Sequence, residues 1–396
     1  MKKKLFFIFI SLIVFSGCNI NNNLKNINDN ALTIEEKVNV KVQEMSLEEK
    51  IAQMLILYYY SPECDNNLQD IVKNVKPGGF ILFNENISSY EGTLNFVKTL
   101  QSNSEIPLFI SIDQEGGRVQ RFSQLSDEKV TKIPSMYSLG VKNDKTLAYD
   151  VGKVMAEELR TIGVNMTFAP VVDVYSNINN TVIGDRSFSS SNEIVSNLAI
   201  SLAKGLEDNG VIPVYKHFPG HGDTDVDSHY DLPVINKTLE ELEKNELIPF
   251  KAAIDNDAKV IMIGHLAVPS ITKDNKPASL SSKIINDLLK EKMGFDGVVV
   301  TDALNMKALT NNYSNVEIYE KASNAGVDLL LMPGSSKDTI NSIVKSVNEG
   351  KISVDRINDA VTRILMLKYS SINDYKYLDK SYLNNDSHKE VINRVK

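Results

Sequence analysis

Eight short apolar runs, spaced along most of the chain, constrain the fold more than any other feature. The runs are 53–59, 78–83, 107–113, 165–174, 211–218, 260–267, 297–304 and 327–334. Each is nearly continuous in hydrophobicity and rich in β-branched or aromatic residues, which is typical of strands buried on both faces. Segments with helical periodicity, including 145–163, 191–210 and 239–258, separate the runs, and Gly or Asn stands at several of their ends. This alternation predicts an α/β fold with a parallel sheet.

Eight strands that alternate with helices predict a (β/α)8 barrel of the TIM type, formed as a single catalytic domain. A doubly wound open sheet is the alternative, but it requires a Gly-rich phosphate turn after its first strand. The sequence QMLILYYYSPEC at that position contains no glycine. We therefore predict a barrel over 35–370, closed by an amphipathic helix at 356–369, and a C-terminal tail over 371–396.

The N-terminus has the pattern of an export signal. Three lysines at 2–4 precede an apolar stretch from Leu5 to Phe15, which is too short to span a bilayer at ~20 residues. Ser16 and Gly17 then precede Cys18, as in bacterial lipoprotein signals. We predict a lipoprotein-type export signal over 1–18 with lipidation of Cys18, and an Asn-rich flexible tether over 19–34. A plain secretory signal with an incidental cysteine is the alternative.

Charge and cysteine content narrow the classes of partner. The net charge is −8, the pI is near 5.4, and the lysines form no basic stripe, which argues against nucleic acid as a partner. The only other cysteine is Cys64. Lipidation of Cys18 leaves it without an intrachain disulfide partner, so we expect the fold to depend on its apolar core.

Polar residues stand at or near the ends of the apolar runs at five positions of the predicted barrel. They are Asp113, Asp173, Lys216 with His217, His265, and Asp302. The carboxyl ends of barrel strands carry the active site in enzymes of this fold, so this convergence predicts an enzyme. Asp173 and His265 are equally compatible with structural roles at the barrel mouth.

The segment KHFPGHGDTDVDSH, from Lys216 to His229, contains three of the five histidines of the chain. A zinc site built from His217, His221 and His229 is one interpretation, although Pro219 prevents the helix that would align the first two. A solvated surface loop is another. The third is proton transfer, in which Asp227 accepts a hydrogen bond from His229 and fixes its tautomer.

The same segment resembles the signature of the bacterial β-N-acetylglucosaminidases of glycoside hydrolase family 3. Three further stretches agree with that family in the same order: IDQEGGRVQRF (112–122), GDRSF (184–188) and VVVTDALNM (298–306). The likeness covers about 35 to 370. It implies an exo-acting enzyme that removes terminal β-linked GlcNAc with retention, from peptidoglycan fragments, with no metal and no organic cofactor.

The resemblance also implies a role for each matching residue. Asp302 is the expected nucleophile that forms a covalent glycosyl intermediate, and His229 paired with Asp227 is the expected acid/base. The expected sugar-binding set is Asp113, Arg121, Arg186, Lys216 and His217. Competing assignments are a helix N-cap for Asp302 and surface salt bridges for the arginines, since Asp185 adjoins Arg186. Gly116 and Gly117 are expected to form the turn that brings Arg121 back to the pocket.

Two other functions are compatible with the same fold. A phosphorylase would release a sugar 1-phosphate, because an imidazole acid/base repels phosphate less than a carboxylate does. A non-catalytic surface lipoprotein that binds carbohydrate is the other, but a pure binder has no need of Asp227, His229 and Asp302 together. The expected partners are a GlcNAc-containing glycan or muropeptide and, through the lipid anchor, a membrane outside the cytoplasm; the oligomeric state stays open.

Overall fold

The barrel predicted from the apolar runs is present in the computed structural model, which describes residues 32–224, 228 and 230–396. Every predicted run contains at least one strand. In chain order the strands are β1 (Leu55–Leu57), β2 (Gly79–Leu82), β3 (Phe109–Ile112), β4 (Gln114–Gly116), β5 (Val119–Gln120), β6 (Met166–Thr167), β7 (Ile212–Pro213), β8 (Tyr215–Phe218), β9 (Val260–Ile263), β10 (Val298–Thr301) and β11 (Leu330–Leu331). β4 and β5 form a separate antiparallel hairpin, and β7 and β8 are two parts of the fifth barrel strand.

Parallel pairing carries the sheet around the barrel. One sheet has the order β11-β1-β2-β3-β6-β7, and the other has the order β10-β9-β8. Single parallel bridges join the two sheets on both sides, Val171 with Lys216 and Val300 with Leu329. All residues of the barrel strands are buried, as their near-continuous hydrophobicity predicts. The closed circuit excludes the doubly wound open sheet.

The helices pack around the outside of the barrel. They are α1 (Ile34–Glu44), α2 (Leu47–Gln53), α3 (Asn66–Asp70), α4 (Tyr90–Ser102), α5 (Met136–Lys142), α6 (Lys145–Thr161), α7 (Asn192–Asp208), α8 (Leu239–Lys244), α9 (Leu247–Ile254), α10 (Pro269–Thr272), α11 (Lys307–Thr310), α12 (Asn315–Ala325), α13 (Ser336–Asn348), α14 (Val354–Ser371) and α15 (Asp386–Val395). A π-helix, Lys283–Lys292, follows the sixth barrel strand. The helices predicted near 145–163, 191–210 and 356–369 correspond to α6, α7 and α14.

The helix predicted over 239–258 is interrupted. α8 ends at Lys244, Asn245 leaves helical geometry with φ −142° and ψ −75°, and α9 begins at Leu247. The buried Glu246 accepts hydrogen bonds from the side chains of Asn245 and Lys237. These contacts to a buried carboxylate replace the continuous helical ladder at this point.

The predicted ends of the chain stand as follows. The export signal and Cys18 lie outside the described residues, as does the predicted tether up to residue 31. The predicted end of the tether at 34 lies inside α1, because Thr33 caps this helix and exchanges hydrogen bonds with Glu36 in a capping box. Over 371–396, α15 packs back on α6. Among the described residues, none of the helices combines the length and apolarity needed to cross a bilayer.

Candidate active site

A buried cluster of alternating charges lies at the carboxyl ends of β3 and β8. The Glu115 carboxylate accepts two hydrogen bonds from the Arg186 guanidinium, at 2.7 Å from Nε and 2.9 Å from Nη2. The Lys216 ammonium lies 2.5 Å from Glu115 Oε1 and 3.0 Å from Asp113 Oδ1. Burial raises the pKa of Glu115, but Arg186 and Lys216 outweigh it and hold that pKa well below its usual range. The cluster is therefore ionised and internally compensated.

The carboxylate at the end of the seventh barrel strand interacts electrostatically with this cluster. Asp302 directly follows β10, and its Oδ1 accepts a 2.8 Å hydrogen bond from the amide of Ala303. Burial raises the pKa of Asp302, yet its electrostatic interactions with His265, His217 and Lys216 and the hydrogen bond from the Ala303 amide lower that pKa overall. Asp302 is thus held as the carboxylate at neutral pH, the form that a nucleophile requires.

Asp302 does not cap a helix. α11 begins at Lys307 with Met306 at its N-cap, four residues beyond Asp302, and no side chain caps that end. The alternative structural role for Asp302 is therefore wrong. The surface salt bridge considered for Arg186 is also wrong, since Arg186 pairs with the buried Glu115, while Asp185 pairs with Arg118 at 3.3 Å.

Asp173 fixes the orientation of the His217 ring. Its Oδ2 lies 2.7 Å from His217 Nδ1, and its two oxygens also accept hydrogen bonds from the amides of His217 and His221. A carboxylate partner assigns the Nδ1 proton to His217 and turns Nε2 toward Arg186 Nη2, 3.5 Å away. The residue that sequence reasoning left ambiguous is therefore a fully buried positioning group.

His221 is occupied elsewhere. Its Nδ1 lies 2.7 Å from Thr224 Oγ1, and its Nε2 lies 3.5 Å from Ser228 Oγ. Burial first, and then the neighbouring His217, lowers the pKa of His221 to about 4, so its ring is neutral near pH 7. Among the described ranges, which omit Asp227 and His229, no group of three or more His, Cys, Asp or Glu side chains is arranged to hold a metal ion.

The glycine turn after β3 returns the chain to the pocket. Gly116 and Gly117 have φ values of +103° and +56°, in the region that glycine adopts without a steric penalty. The amide of Arg121 then donates to the carbonyl oxygen of Asp113 at 3.2 Å. The Arg121 guanidinium lies 5.6 Å from the ring centroid of Phe83, and its Nε is buried without a hydrogen-bond partner in the described part of the chain.

His265 is a satisfied histidine beside Asp302. Its Nε2 lies 3.0 Å from the carbonyl oxygen of Ala303, which only accepts, so Nε2 carries the proton. Its Nδ1 then accepts from Ser279 Oγ at 2.8 Å. The ring is fully buried, in keeping with the structural role considered for it from the sequence.

Sequence reasoning missed two residues of this site, Glu115 and Arg118. Arg118 Nη2 donates to the carbonyl oxygens of 181–183, at 2.7, 2.6 and 3.2 Å, and so holds the loop that carries Arg186. Both residues lie inside the quoted stretch IDQEGGRVQRF. Their position beside the glycine turn was the available signal, because a tight turn brings adjacent charges close to the strand that precedes it.

The predicted site residues thus divide into two groups. One connected network contains Asp113, Arg186, Lys216 and His217, which Glu115 links together. Arg121 joins this network through a backbone hydrogen bond to Asp113, and Asp302 interacts with it electrostatically. Asp227 and His229 lie outside the described residues. Ser228 is described: it is buried, and its carbonyl oxygen accepts from the amide of Ala308, in the first turn of α11 beyond Asp302.

The protein is a (β/α)8 barrel, and its carboxyl-terminal mouth carries an ionised carboxylate and a compensated polar cluster. These features define a barrel enzyme that acts on a polar ligand. The profile described as the Glycosyl hydrolase family 3 N terminal domain matches residues 46–367. The chain belongs to glycoside hydrolase family 3.

Individual relatives agree with this family. Beta-hexosaminidase A of Pseudoalteromonas piscicida is 33% identical over 329 residues, which cover 76% of this chain and 54% of the relative. Beta-hexosaminidase of Nitrosomonas eutropha is 36% identical over 275 residues, covering 67% of this chain and 77% of the relative. The chain therefore spans about half the length of the first relative and most of the second.

A solved structure shows the same fold. The glycoside hydrolase family 3 beta-N-acetylglucosaminidase from Paenibacillus sp. str. FPU-7 superimposes with a TM-score of 0.84 at 35% identity. The match covers 89% of this chain and 68% of that structure.

Proposed function

We propose that this glycoside hydrolase is an exo-acting, retaining β-N-acetylglucosaminidase that removes terminal β-linked GlcNAc. The names of its relatives support the substrate class. The observation that carries the mechanism is the ionised carboxylate of Asp302 at the mouth end of β10, where Lys216 and His217 are near enough to lower its pKa. A retaining glycosidase needs such a carboxylate within covalent reach of the anomeric carbon.

The reaction proceeds in two displacements. Asp302 attacks the anomeric carbon while the bond from that carbon to the glycosidic oxygen breaks, and His229 donates a proton to the departing oxygen. Water then attacks the glycosyl–Asp302 ester, gives a proton to His229, and releases the sugar with its β-configuration restored. Asp227 orients His229 and favours its protonated form.

The network positions the sugar for this reaction. The carboxylate of Asp113 accepts hydrogen bonds from sugar hydroxyls, and the cations of Arg121, Arg186 and Lys216 donate to hydroxyl oxygens. Because the two carboxylates Glu115 and Asp113 together compensate the two cations Arg186 and Lys216, these groups bind a neutral sugar without leaving a buried net charge. Ser228, the neighbour of His229 in the sequence, contacts α11 shortly after Asp302, which supports the proposed role of His229 in the same reaction.

We further propose that the protein is exported, anchored by a lipid on Cys18, and acts on peptidoglycan-derived fragments that carry terminal GlcNAc. On this proposal the Asn-rich segment over 19–32 is the tether between the lipid and α1, and a flexible chain of that length has an r.m.s. reach of roughly 20–25 Å.

Kinetics on two substrates test the proposed reaction. We expect the wild type to hydrolyse an aryl β-GlcNAc glycoside and the disaccharide GlcNAc-β-1,4-GlcNAc at rates that added phosphate leaves unchanged. Asp302→Ala should lower kcat by about 10³-fold or more on both, while its circular dichroism stays native. His229→Ala should reduce disaccharide cleavage more than the first step on the aryl glycoside, whose leaving group needs less proton transfer.

Three outcomes would contradict parts of this assignment. Near-normal turnover by Asp302→Ala removes the nucleophile. A phosphate-dependent release of sugar 1-phosphate makes the enzyme a phosphorylase. Equal losses on both substrates for His229→Ala remove the proton-donor role. Azide added to Asp302→Ala offers a positive control, because attack on the open face should give the α-glycosyl azide.

A further inference from the structure

Three aromatic side chains form a continuous cluster at the barrel mouth, here called the aromatic rim cluster: Tyr58, Tyr60 and Phe83. Tyr58 directly follows β1, and Phe83 directly follows β2, so both stand at the carboxyl ends of neighbouring strands. The rings of Tyr58 and Phe83 meet edge to face with centroids 5.1 Å apart, and those of Tyr58 and Tyr60 do so at 6.1 Å. The cluster therefore runs outward from the end of the second strand.

The inner end of the cluster contacts the sugar-binding network. Phe83 lies beneath the Arg121 guanidinium, and the Arg121 amide donates to the carbonyl oxygen of Asp113, whose carboxylate pairs with Lys216. The buried Nε of Arg121 has no hydrogen-bond partner in the part of the chain that the structure describes. An unpartnered buried donor costs free energy, which a ligand oxygen at this position would recover.

The outer end is an exposed ring on a fixed loop. Tyr60 is 77% exposed. The loop beneath it is held by Asn86 Nδ2, which donates to the carbonyl oxygens of Tyr59 and Ser61 at 2.8 and 2.7 Å. Because the loop is already ordered, a ligand that covers Tyr60 has little further backbone entropy to lose.

The chemistry of the cluster suits a second sugar ring. The face of a tyrosine ring is electron-rich, and the C–H bonds on one face of a pyranose are its complement. Hydroxyls at the edge of that pyranose need acceptors, and the exposed carboxylate of Glu85 stands beside the cluster, accepting from Tyr58 Oη at 3.1 Å. An aromatic platform with a carboxylate at its edge offers both kinds of contact.

We propose that the aromatic rim cluster, with Tyr60 as its platform, binds the sugar ring on the leaving-group side of the bond that is cleaved. The proposal rests on the proposed function, because it places the terminal GlcNAc in the charged network and the next residue of the glycan outside it. Tyr60 thereby determines how well the enzyme uses a glycan compared with a glycoside that has no second ring.

Two substrates with and without a second ring test this proposal. GlcNAc-β-1,4-GlcNAc carries a pyranose leaving group, and the methyl β-glycoside of GlcNAc carries none. Tyr60→Ala should lower kcat/KM for the disaccharide by about 3- to 10-fold, mainly through KM, and leave the methyl glycoside unchanged. Tyr60→Phe should keep the wild-type values on both. Tyr137→Ala, which removes an exposed ring on α5 outside the cluster, is the matched control and should also change neither.

The outcomes distinguish a failure of this subsite from a failure of the proposed β-N-acetylglucosaminidase activity. If the wild type cleaves both substrates and Tyr60→Ala affects both equally or neither, the subsite is refuted while the β-N-acetylglucosaminidase activity stands. If Tyr60→Phe loses as much as Tyr60→Ala, stacking is not the cause and the proposal is likewise refuted. If the wild type cleaves neither substrate, the proposed function itself fails.

Discussion

Glu115 holds the active-site charges together, although it is not expected to touch the reacting atoms. Only 2% of Glu115 is exposed to solvent, and its carboxylate binds both Arg186 and Lys216. Without an anion between them, the positive charges of Arg186 and Lys216 would repel each other. Glu115 makes no predicted contact with the sugar, but it is the carboxylate that both sugar-binding cations share, while Lys216 also pairs with Asp113.

Replacement of Glu115 by Gln should weaken both stability and substrate binding. The neutral amide leaves buried cations uncompensated, which costs about 3–5 kcal/mol in the free energy of unfolding. The displaced Arg186 and Lys216 should then raise KM and lower kcat/KM by about 10²-fold. Urea unfolding at pH 7 and steady-state kinetics on the aryl glycoside measure the two effects.

The pH dependence of that loss has a definite sign. The pKa of Glu115 is depressed in the folded state, so its contribution is present above the unfolded value of about 4.3 and fades as the pH falls below it. The wild type and Glu115→Gln should therefore converge in stability at low pH. The control is Glu105→Gln, which breaks exposed ion pairs with Lys41 and Lys76 and should cost only about 0–1 kcal/mol. Equal losses for the two variants would contradict the role of Glu115.

At this scale, the sequence predicts residues at strand ends better than residues that act through others. Four site residues stand at or near the ends of apolar runs: Asp113, Lys216, His217 and Asp302. The topology of the barrel alone brings the ends of these strands to one mouth. Glu115 was not predicted, because its partners Arg186 and Lys216 are distant along the chain and meet it only when the barrel closes.

Among the elements, α15 is attached to α6 by a buried histidine as well as by the more exposed ion pair of Arg394 with Asp150. His388 Nε2 lies 2.8 Å from Glu157, and its Nδ1 lies 3.2 Å from Glu158, which also accepts from the amide and hydroxyl of Thr131 and the amide of Asn384. Burial lowers the pKa of His388, but the two glutamates outweigh it and raise that pKa overall. The protonated imidazole thus bridges two carboxylates on one helix.

His388→Gln should remove a pH-dependent part of the attachment of α15. A raised folded pKa gives stability that is fully present below the unfolded value of about 6.5 and is lost as the pH rises through the folded value. The excess amide protection of α15 in the wild type over the variant should therefore shrink between pH 6 and pH 9. Hydrogen exchange with mass spectrometry, corrected for the intrinsic exchange rate, measures it.

Lys389→Gln is the control for that experiment, because Lys389 is exposed and pairs only locally with Asp386. Its protection should follow the wild type at both pH values. A difference between the wild type and His388→Gln that stays constant with pH would show that His388 acts by packing alone.

Local side chains determine several helix starts, whereas neither the break between α8 and α9 nor the packing of α15 was predicted from the sequence. Capping boxes at Ser46–Glu49, Thr238–Glu241 and Ser314–Glu317 satisfy the first amides with local side chains. By contrast, α15 docks through His388, whose partners Glu157 and Glu158 are more than 200 residues away along the chain. Local periodicity carries no information about such contacts.

On the scale of the whole molecule, the barrel is closed at the end opposite the active site by a buried lysine. Lys368 of α14 is fully buried, donates to Gln53 Oε1 at 2.8 Å, and lies 5.0 Å from the centre of the Phe109 ring. Gln53 in turn donates to the carbonyl oxygens of Lys76 and Pro77. The contact joins the last barrel helix to the start of the first strand, and burial lowers the pKa of Lys368 well below its usual value.

Lys368→Met should therefore alter how the stability of the whole barrel depends on pH. Burial lowers the pKa of the Lys368 amine in the folded state, whereas the unfolded chain stays protonated up to about pH 10.4, so between the two pKa values the unfolded state binds more protons and stability rises with pH. Above the folded pKa, that rise amounts to about 1.4 kcal/mol per pH unit.

Methionine removes the rise, and it also leaves Gln53 Oε1 without its donor, at a cost of about 1–3 kcal/mol that does not vary with pH. The free energy of unfolding of the wild type, measured in urea, should thus gain on that of the variant between pH 7 and pH 10; a gap that stays constant over this range would mean that Lys368 is charged inside the barrel.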